Sequence, residues 1–319
     1  MRRYINKRDK RIPNPTWKPF VAKIPKSVRA AKKQNNNKDI SVTESDYAPS
    51  SSTIAAVIRA LSSFYEWMTR RKFVDVNYVK LIAQKREHIG AGNQSREIMR
   101  LTSLQWDYVI ETAEIMAEEN PDQHERTLFI MSILFLMYLR ISELVSDSRS
   151  EPQMGDFYTD NDGNWWFKVV GKGVKRRDIP VADEMLSALK QYRLSRNLPP
   201  YPAHNEHFPL ISAIRGASQN ATPITSTRQI RKIVQNCFDQ AYYRMTKDKH
   251  ITDREASTLQ AATVHWLRHT GISEDVKTRP QEHVREDAGH SSIVTTSRYI
   301  DADKRERHQS AKKKTVKDL

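Results

Sequence analysis

The sequence predicts a mainly α-helical protein with a small β-sheet, an α+β fold, and two periodic patterns carry this prediction. Apolar residues recur at helical spacing in five segments, namely SSSTIAAVIRALSSFYEWMTRRKF, 102–113, 126–144, 182–196 and 226–245. The alternation in DGNWWFKVV and VKRRDIPV, on either side of a tight GKG turn, predicts one β-hairpin. A chain of 319 residues is long enough for about two domains and a sizeable core.

Lysine and arginine dominate the charge balance, with 53 of them against 38 acidic residues and a net charge of +15. Residues 1–39 carry thirteen basic and two acidic side chains, and residues 302–319 carry seven and three. These two ends account for the whole excess, so the segment between them is neutral overall. Basic ends of this kind are typical of anion-binding arms, and nucleic acid is the anionic partner that we expect.

Several classes of protein are disfavoured by what the chain lacks. The single cysteine, Cys237, permits no internal disulfide and no cysteine-cluster zinc site. The basic start MRRYINKRDK has no apolar stretch behind it, which disfavours a signal peptide. The longest apolar run, Leu128 to Leu139, is about twelve residues and too short to span a bilayer. We therefore expect a soluble cytoplasmic protein with no membrane contact.

Capping residues and helix breakers indicate where the predicted helices begin and end. The first helix begins at Ser52 or Thr53, and its polar face carries three arginines, Arg59, Arg70 and Arg71. A second short helix is predicted from Val76, followed by a linker over 85–97 and a helix capped by Thr102 or Ser103. The last third, His265 to Ile300, is predicted to be helical with breaks at Gly271, Pro280 and Gly289.

Six side chains in five short segments have the chemistry to attack a phosphodiester without a metal ion: Arg140, Lys172, His265, Arg268, His290 and Tyr299. Guanidiniums can hold nonbridging phosphate oxygens bidentately and offset the charge of a five-coordinate phosphorus. A tyrosine phenol, with an ordinary pKa of about 10, becomes a candidate nucleophile when nearby cations lower that value. A histidine can accept its proton, and a lysine on a hairpin tip can protonate the leaving 5′-oxygen.

Each of these residues also has a plainer structural interpretation. Arg140 inside an apolar helix can be the ion-pair partner of Glu143, and a lysine in a GKG turn is usually solvated. His265 and His269, four residues apart, could bind zinc, but no HExxH pattern or third ligand accompanies them. We therefore expect neither a metal nor a cofactor, and the joint occurrence of the six residues favours catalysis.

The ordered segments RISEL, GKGVKRRDIPV, HWLRHT, GHSS and TTSRY resemble those of the tyrosine recombinases, the phage integrase family of DNA strand-exchange enzymes. The resemblance covers residues 98–301. It implies that Tyr299 forms a 3′-phosphotyrosyl link and that Glu143 supports a phosphate-activating pocket, whose members would be Arg140, Lys172, His265, Arg268 and His290.

The resemblance also implies a domain organisation. We expect a basic extended arm over 1–45, a partial helical core-binding domain over 46–92, the catalytic domain over 98–301 and a basic tail over 302–319. In this family the two domains form a C-shaped clamp around duplex DNA. The expected DNA contacts outside the pocket are Arg59, Arg70, Arg71, Lys175, Arg177 and Arg298.

Two segments depart from the family's pattern. This chain has Asn77 followed by Tyr78 where the family usually has Asn-Pro, which removes a helix-start proline. Between HWLRHT and GHSS, the expected apolar helix is replaced by GISEDVKTRPQEHVREDA, which is rich in charge. No expected catalytic position is substituted, so the resemblance implies an active enzyme.

By this resemblance the chain would be a site-specific recombinase that integrates, excises or resolves a mobile element through a Holliday junction. Its partners would be duplex DNA with paired inverted half-sites, three further copies of itself in a tetramer on synapsed sites, and accessory DNA-bending proteins. Its compartment would be the nucleoid of a bacterial, archaeal or phage system. Two alternatives stay open: a type IB topoisomerase or telomere resolvase, and a non-catalytic DNA-binding regulator on the same fold.

Overall fold

A computed structural model describes residues 51–85, 98–171, 175–213, 221–248, 251–300 and 311–312. The chain divides into two compact units between Arg96 and Glu97. The predicted arm over 1–45, the linker beyond Lys85 and nearly all of the predicted tail lie outside the described residues. Within these described ranges, no helix is long and apolar enough to cross a membrane.

The first unit contains two described helices, α1 (Ser51–Arg70) and α2 (Tyr78–Lys85). The predicted first helix is confirmed, and the second begins two residues later than predicted. Asn77 explains this start, because its Oδ1 accepts the backbone N–H of Lys80 at 3.2 Å while its Nδ2 donates to the Ser62 carbonyl at 2.9 Å. This asparagine therefore caps α2 and ties it to α1 without the family's proline.

The second unit is built around two consecutive helices, α3 (Ser103–Glu119) and α4 (Pro121–Leu136). Thr102 caps α3 in a capping box with Gln105, as the sequence predicts. Asn120 ends α3 and caps α4, since its side chain accepts the backbone N–H of Gln123. Residues 125–134 of α4 are buried on every side, so α4 is the central helix of the core.

The predicted helix over 126–144 is wrong at its C-terminal end, because α4 stops at Leu136. Tyr138 adopts a left-handed backbone with φ of 51°, which turns the chain out of the helix. Arg140 follows in extended backbone and precedes a 3-10 helix, Ile141–Glu143. Arg140 thus lies in the turn after the central helix and not inside it.

The sheet has three antiparallel strands in the order β1 (Phe157–Thr159), β2 (Trp165–Val170) and β3 (Arg176–Pro180). Strands β2 and β3 form the predicted hairpin, and β1 has only three residues, too few for a periodic signal. Phe167 pairs with Phe157 on one side and with Ile179 on the other, and all three are buried. This buried row fixes the register, because a one-residue slip would expose it.

Among the described residues, this unit has six further helices: α5 (Asp183–Leu194), α6 (Thr227–Lys247), α7 (Asp253–Gln260), α8 (Val264–Asp275), α9 (Gln281–Ala288) and α10 (Ile293–Ile300). The helices predicted over 182–196 and 226–245 are confirmed as α5 and α6, whereas α7 was not predicted. Helices α3, α5, α6 and α8 all pack against α4. Pro280 and Gly289 bound α9, as the sequence predicts.

The predicted break at Gly271 is wrong, because α8 continues through it. A Cβ atom at this position would lie 2.1 Å from the Phe135 carbonyl oxygen. The glycine therefore serves close packing of α8 against the end of α4 rather than a turn.

The charged segment 271–288 forms an ordered helical corner. Arg279 pairs with Asp275 at 3.0 Å and with Asp287 at 2.6 Å, and the Tyr138 hydroxyl donates to the Asp275 carboxylate. Val284 and Ala288 of α9 bury their apolar face against a small cluster with Tyr138, Ile272 and Tyr299. Ion pairs thus occur where the resemblance leads us to expect an apolar helix, and the cluster includes Tyr299 of the candidate site.

Candidate active site

A buried carboxylate organises one side of the site. Glu143, whose side chain is 2% exposed, accepts Arg140 Nη1 at 3.0 Å on Oε1 and the Arg140 backbone N–H at 2.8 Å on Oε2. Arg177 of β3 donates both Nη atoms to the same carboxylate, at 3.0 and 2.9 Å. The two guanidiniums are therefore held side by side by one acid, and Glu143 is the ion-pair partner of Arg140.

Arg177 lies in the site and not on an outer surface. Besides Glu143, it donates Nε to the Asp287 carbonyl at 2.9 Å, and its side chain is only 12% exposed. Arg177 also packs against Gly289, which has a φ of 61°. A Cβ atom at that position would lie only 3.2 Å from Cδ of Arg177. Arg177, expected as a DNA contact outside the pocket, is therefore a structural partner within it, and its contact with DNA stays a prediction.

Arg268 of α8 is the most deeply buried guanidinium of the site, with 2% of the residue exposed. It donates Nη1 to the Tyr138 carbonyl and Nη2 to the Ala288 carbonyl, so it joins the turn after α4 to the end of α9. Burial, and then the charge of Arg140, lower the pKa of Arg268 to about 10. The guanidinium therefore remains protonated at neutral pH and needs an anion to offset it.

Two predicted histidines lie beside these arginines. His290 follows Gly289, and its Nδ1 lies 2.9 Å from the Thr296 hydroxyl; burial, and then Arg268, lower its pKa to about 4. His265 keeps an exposed edge, and partial desolvation together with Arg268 and Arg140 lowers its pKa. Both imidazoles are therefore neutral at physiological pH and can exchange protons with a ligand.

Tyr299 of α10 lies in the same site, next to His290 and His269. The residue is 5% exposed, and its ring stacks on that of His290 with centroids 6.0 Å apart. Burial raises the pKa of Tyr299, although the charges of Arg268 and Arg140 act in the opposite direction. The Tyr299 phenol is therefore protonated at neutral pH, and the charges of Arg268 and Arg140 favour its anionic form.

His269 is a member of the site that sequence reasoning did not place there. Its Nδ1 lies 2.6 Å from the Tyr299 hydroxyl oxygen. The sequence singled it out only as a zinc candidate with His265, whose ring lies edge-on at 4.3 Å. Over the described ranges, no group of three or more His, Cys, Asp or Glu side chains is arranged to hold a metal ion.

Lys172 lies outside the described residues, but the chain on either side of it is placed. Gly171 donates its backbone N–H to the Lys175 carbonyl at 2.8 Å. A Cβ on Gly171 would come within 3.3 Å of both Arg177 Nη1 and Glu143 Oε1. Gly171, where the chain enters the hairpin turn, therefore lies directly against the Arg177–Glu143 pair. Lys175, where the chain returns from the turn, is exposed.

Three of the other expected DNA contacts belong to the first unit. Arg59 and Arg70 are exposed on α1, where Arg70 pairs with Glu66 at 3.9 Å, and Arg71, directly after the helix, is exposed and lies over the Trp67 ring. The side chain of Arg298 is outside the described part of the chain. Their role in binding stays a prediction.

The assembled pocket carries an excess of positive charge. The guanidiniums of Arg140 and Arg177 pair with the Glu143 carboxylate, and Arg268 adds a third positive charge nearby. The neighbouring histidines and Tyr299 are neutral. A group with one or two negative charges and several oxygen acceptors, such as a phosphodiester, is complementary to it. Tyr299, the predicted nucleophile, and the histidines that are candidate proton carriers lie beside this position.

We expect Glu143→Gln to destabilise the fold by roughly 3–5 kcal/mol at pH 7, because it leaves two cations without their acid. Burial alone would raise the pKa of Glu143, but Arg177 and Arg140 outweigh burial and hold it below its ordinary value of 4.5. The carboxylate's stabilisation is therefore complete above that value and is lost as pH falls through the lower folded pKa.

Urea unfolding from pH 7 to pH 3 measures this effect. The difference between the wild type and Glu143→Gln should shrink as the solution becomes acidic, whereas Glu151→Gln, at an exposed position, should change little at any pH. An equal difference at pH 7 and pH 3 would contradict the role given to this carboxylate.

Comparison with known proteins shows the family of this chain. The sequence pattern of the Phage integrase family matches residues 100–306, more than half of the chain. The tyrosine recombinase XerC of Chlorobaculum parvum is 22% identical over 259 residues, which are 77% of this chain and 68% of the relative. XerC of Staphylococcus haemolyticus is 25% identical over 254 residues, 77% of this chain and 69% of the relative.

The fold is also that of solved recombinases. The Tn1549 transposon integrase in complex with transposon right-end DNA superposes with a TM-score of 0.52 at 13% identity, covering 90% of this chain and all of that one. This likeness confirms the predicted mainly α fold with its small antiparallel sheet. The chain belongs to the phage integrase family, the tyrosine recombinases, which are DNA breaking-rejoining enzymes.

Proposed function

We propose that this protein is a site-specific recombinase that cleaves and rejoins duplex DNA through a 3′-phosphotyrosine and a Holliday junction, to integrate, excise or resolve a mobile element. One observation carries the proposal. The Tyr299 hydroxyl lies in the cluster that also holds the guanidiniums of Arg140 and Arg268. A candidate nucleophile and a positive charge complementary to a phosphate therefore come from α10, α8 and the turn after α4, which supports the proposal.

In the proposed reaction, Arg140 and Arg268 hold the nonbridging oxygens of the scissile phosphate, and His265 and His290 contribute neutral N–H donors. Tyr299 attacks phosphorus, and the 5′-oxygen leaves with a proton from Lys172. The freed 5′-hydroxyl of the partner strand then attacks the phosphotyrosine. Each step exchanges one phosphoester for another, so the reaction needs no ATP.

The proposed substrate is duplex DNA with two inverted half-sites, each bound by one subunit, and two such sites join in a tetramer. The DNA in the Tn1549 integrase complex supports DNA as the partner. The exposed arginines of α1, Lys175, Arg298 and the basic arm are proposed backbone contacts. The tail over 302–319 is proposed to hold neighbouring subunits, with accessory DNA-bending proteins as further partners at the nucleoid.

The target sequence can be found in the same experiment that tests this function. The protein is incubated with a pool of random duplexes that carry a nick, and complexes that survive denaturation are collected and sequenced. A recombinase should trap DNA covalently and enrich a short inverted repeat, since paired half-sites mirror paired subunits. Retention of DNA only under native conditions would instead indicate a DNA-binding regulator.

We expect the trapping to persist in EDTA. In the proposed mechanism, Arg140 and Arg268 supply the charge that metal ions supply in many nucleases, so removal of divalent ions should change the cleavage rate less than about twofold. A denaturing gel of the covalent complex, with and without chelator, measures this. Loss of cleavage that one particular divalent ion restores would contradict the expectation and favour a metal role for His265 and His269.

A further inference from the structure

The nucleophile of the proposed reaction has one described hydrogen-bond partner of its own. The hydroxyl of Tyr299 lies 2.6 Å from Nδ1 of His269, and the centroids of the two rings are 5.5 Å apart. The contact joins α10 to α8 in a place where only a small part of the tyrosine meets solvent. Water is thereby limited as an acceptor for this proton.

The charged groups around His269 determine whether the imidazole or the Tyr299 hydroxyl donates the hydrogen bond between them. His269 is faced by His265 and Arg268 on its own helix and by His290 and Tyr299 from the segment after α9. Burial, and then the charges of His265, Arg268 and His290, lower the pKa of His269 to about 3. Its imidazole is therefore neutral and has one acceptor nitrogen. Because burial raises the pKa of Tyr299, the phenol keeps its proton and donates it to Nδ1.

The two other histidines of the site, His265 and His290, have contacts other than a hydrogen bond to the Tyr299 hydroxyl. Nδ1 of His290 lies against the Thr296 hydroxyl at 2.9 Å, and its ring stacks on Tyr299 without a hydrogen bond between them. The His265 ring contacts that of His269 edge-on. Of the histidines that the structure describes, His269 is thus the one hydrogen-bonded to the nucleophilic oxygen.

We propose that His269 is a catalytic residue of the strand cleavage, the acceptor of the Tyr299 proton. As the tyrosine oxygen bonds to phosphorus, its proton moves to Nδ1, the P–O5′ bond breaks, and the 5′-oxygen takes a proton from its own acid. His269 is left as an imidazolium and returns the proton to the tyrosine oxygen in the religation step. The inference rests on the proposed function.

Binding of the scissile phosphate favours the transfer of the Tyr299 proton to His269 during cleavage. A neutral imidazole among cations is too weak a base to ionise a buried phenol at rest, so the nucleophile stays protonated in the absence of DNA. The bound phosphate brings negative charge next to Arg268 and offsets the repulsion that disfavours a cationic His269. Proton transfer and P–O bond formation are therefore coupled.

The test uses the full-length chain and the nicked duplex enriched by covalent trapping. His269→Gln keeps a hydrogen-bond acceptor but cannot carry the proton, so we expect single-turnover cleavage to slow by ~10²–10⁴-fold while DNA affinity stays within about twofold. Its rate should rise about tenfold per pH unit, because hydroxide must then remove the proton, whereas the wild-type rate should be nearly flat above neutral pH. His204→Gln, at an exposed position, is the matched control.

His269→Ala provides a second and independent measurement, since added imidazole can occupy the vacated space and should restore part of the cleavage. Wild-type rates for His269→Gln, or a loss that neither higher pH nor imidazole relieves, would overturn the proposal. If the wild type itself forms no covalent complex, the proposed function fails. If the wild type does so and His269→Gln matches it, only this inference fails.

Discussion

Tyr299→Phe is expected to abolish covalent attachment to DNA while leaving affinity for DNA within about threefold of the wild type. The substitution removes one oxygen, so the nucleophile is lost, but the guanidiniums of Arg140, Arg177 and Arg268 keep their partners on Glu143 and on backbone carbonyls. A nicked duplex whose cleaved fragment diffuses away traps the intermediate, and a denaturing gel detects it.

Tyr158→Phe is a suitable control, because this tyrosine lies on β1 and has no part in the proposed chemistry. It should form the covalent complex at the wild-type rate. A persistent protein–DNA band in Tyr299→Phe would show that a different side chain attacks. Loss of both binding and attachment would show that the phenol is needed for assembly of the pocket.

The second large effect is expected at the leaving group. A 5′-alkoxide is a poor leaving group because its conjugate acid has a pKa far above neutrality, so a positioned donor contributes ~10²–10⁴-fold. Lys172 follows Gly171, which lies against the Arg177–Glu143 pair. We therefore expect Lys172→Ala to cleave an ordinary phosphodiester slowly and a 5′-bridging phosphorothioate at nearly the wild-type rate, since a thiolate leaves without protonation.

Lys175→Ala is the matched control, because Lys175 is exposed on the same hairpin and donates no proton in the proposed mechanism. It should affect both substrates little and equally. Single-turnover rates on the two substrates are the measurement. Equal impairment of Lys172→Ala on both would mean that this lysine positions the phosphate, and the acid would have to be sought at Lys175 or a histidine.

The amino-acid sequence predicts most of the fold because periodicity is a local property. The amphipathic pattern of α1 and α6, the Thr102 cap and the alternation in the hairpin each depend on residues within a few positions of one another. The catalytic candidates are recognisable for a related reason. Arg140, Arg268 and Tyr299 lie in short motifs whose order is specific to one family, even though the contacts between them span many residues.

What the sequence could not predict depends on contacts between distant segments. The end of α4 at Leu136 follows from a left-handed Tyr138 whose carbonyl receives Arg268, 130 residues later. Gly271 interrupts a local helical pattern, yet it is required by the carbonyl of Phe135. The bond between His269 and Tyr299 joins two helices, and no spacing rule predicts it.

The same reasoning explains the misplacement of Arg177. Arg177 lies two residues before the buried Ile179, so the alternation of β3 places it on the covered face, where α9 packs and the buried Glu143 carboxylate lies. A charged residue on a half-exposed strand is usually solvated. Here an ion pair across 34 residues draws it into the site.

The central claim, that Tyr299 becomes covalently joined to DNA, has one direct measurement. The trapped complex is digested with nuclease and protease, and the peptides are sequenced by tandem mass spectrometry. We predict a nucleotide joined through its 3′-phosphate to the tyrosine in the peptide that contains SRYI, residues 297–300. A nucleotide on any other side chain, or cleaved DNA with no modified peptide, would contradict the mechanism.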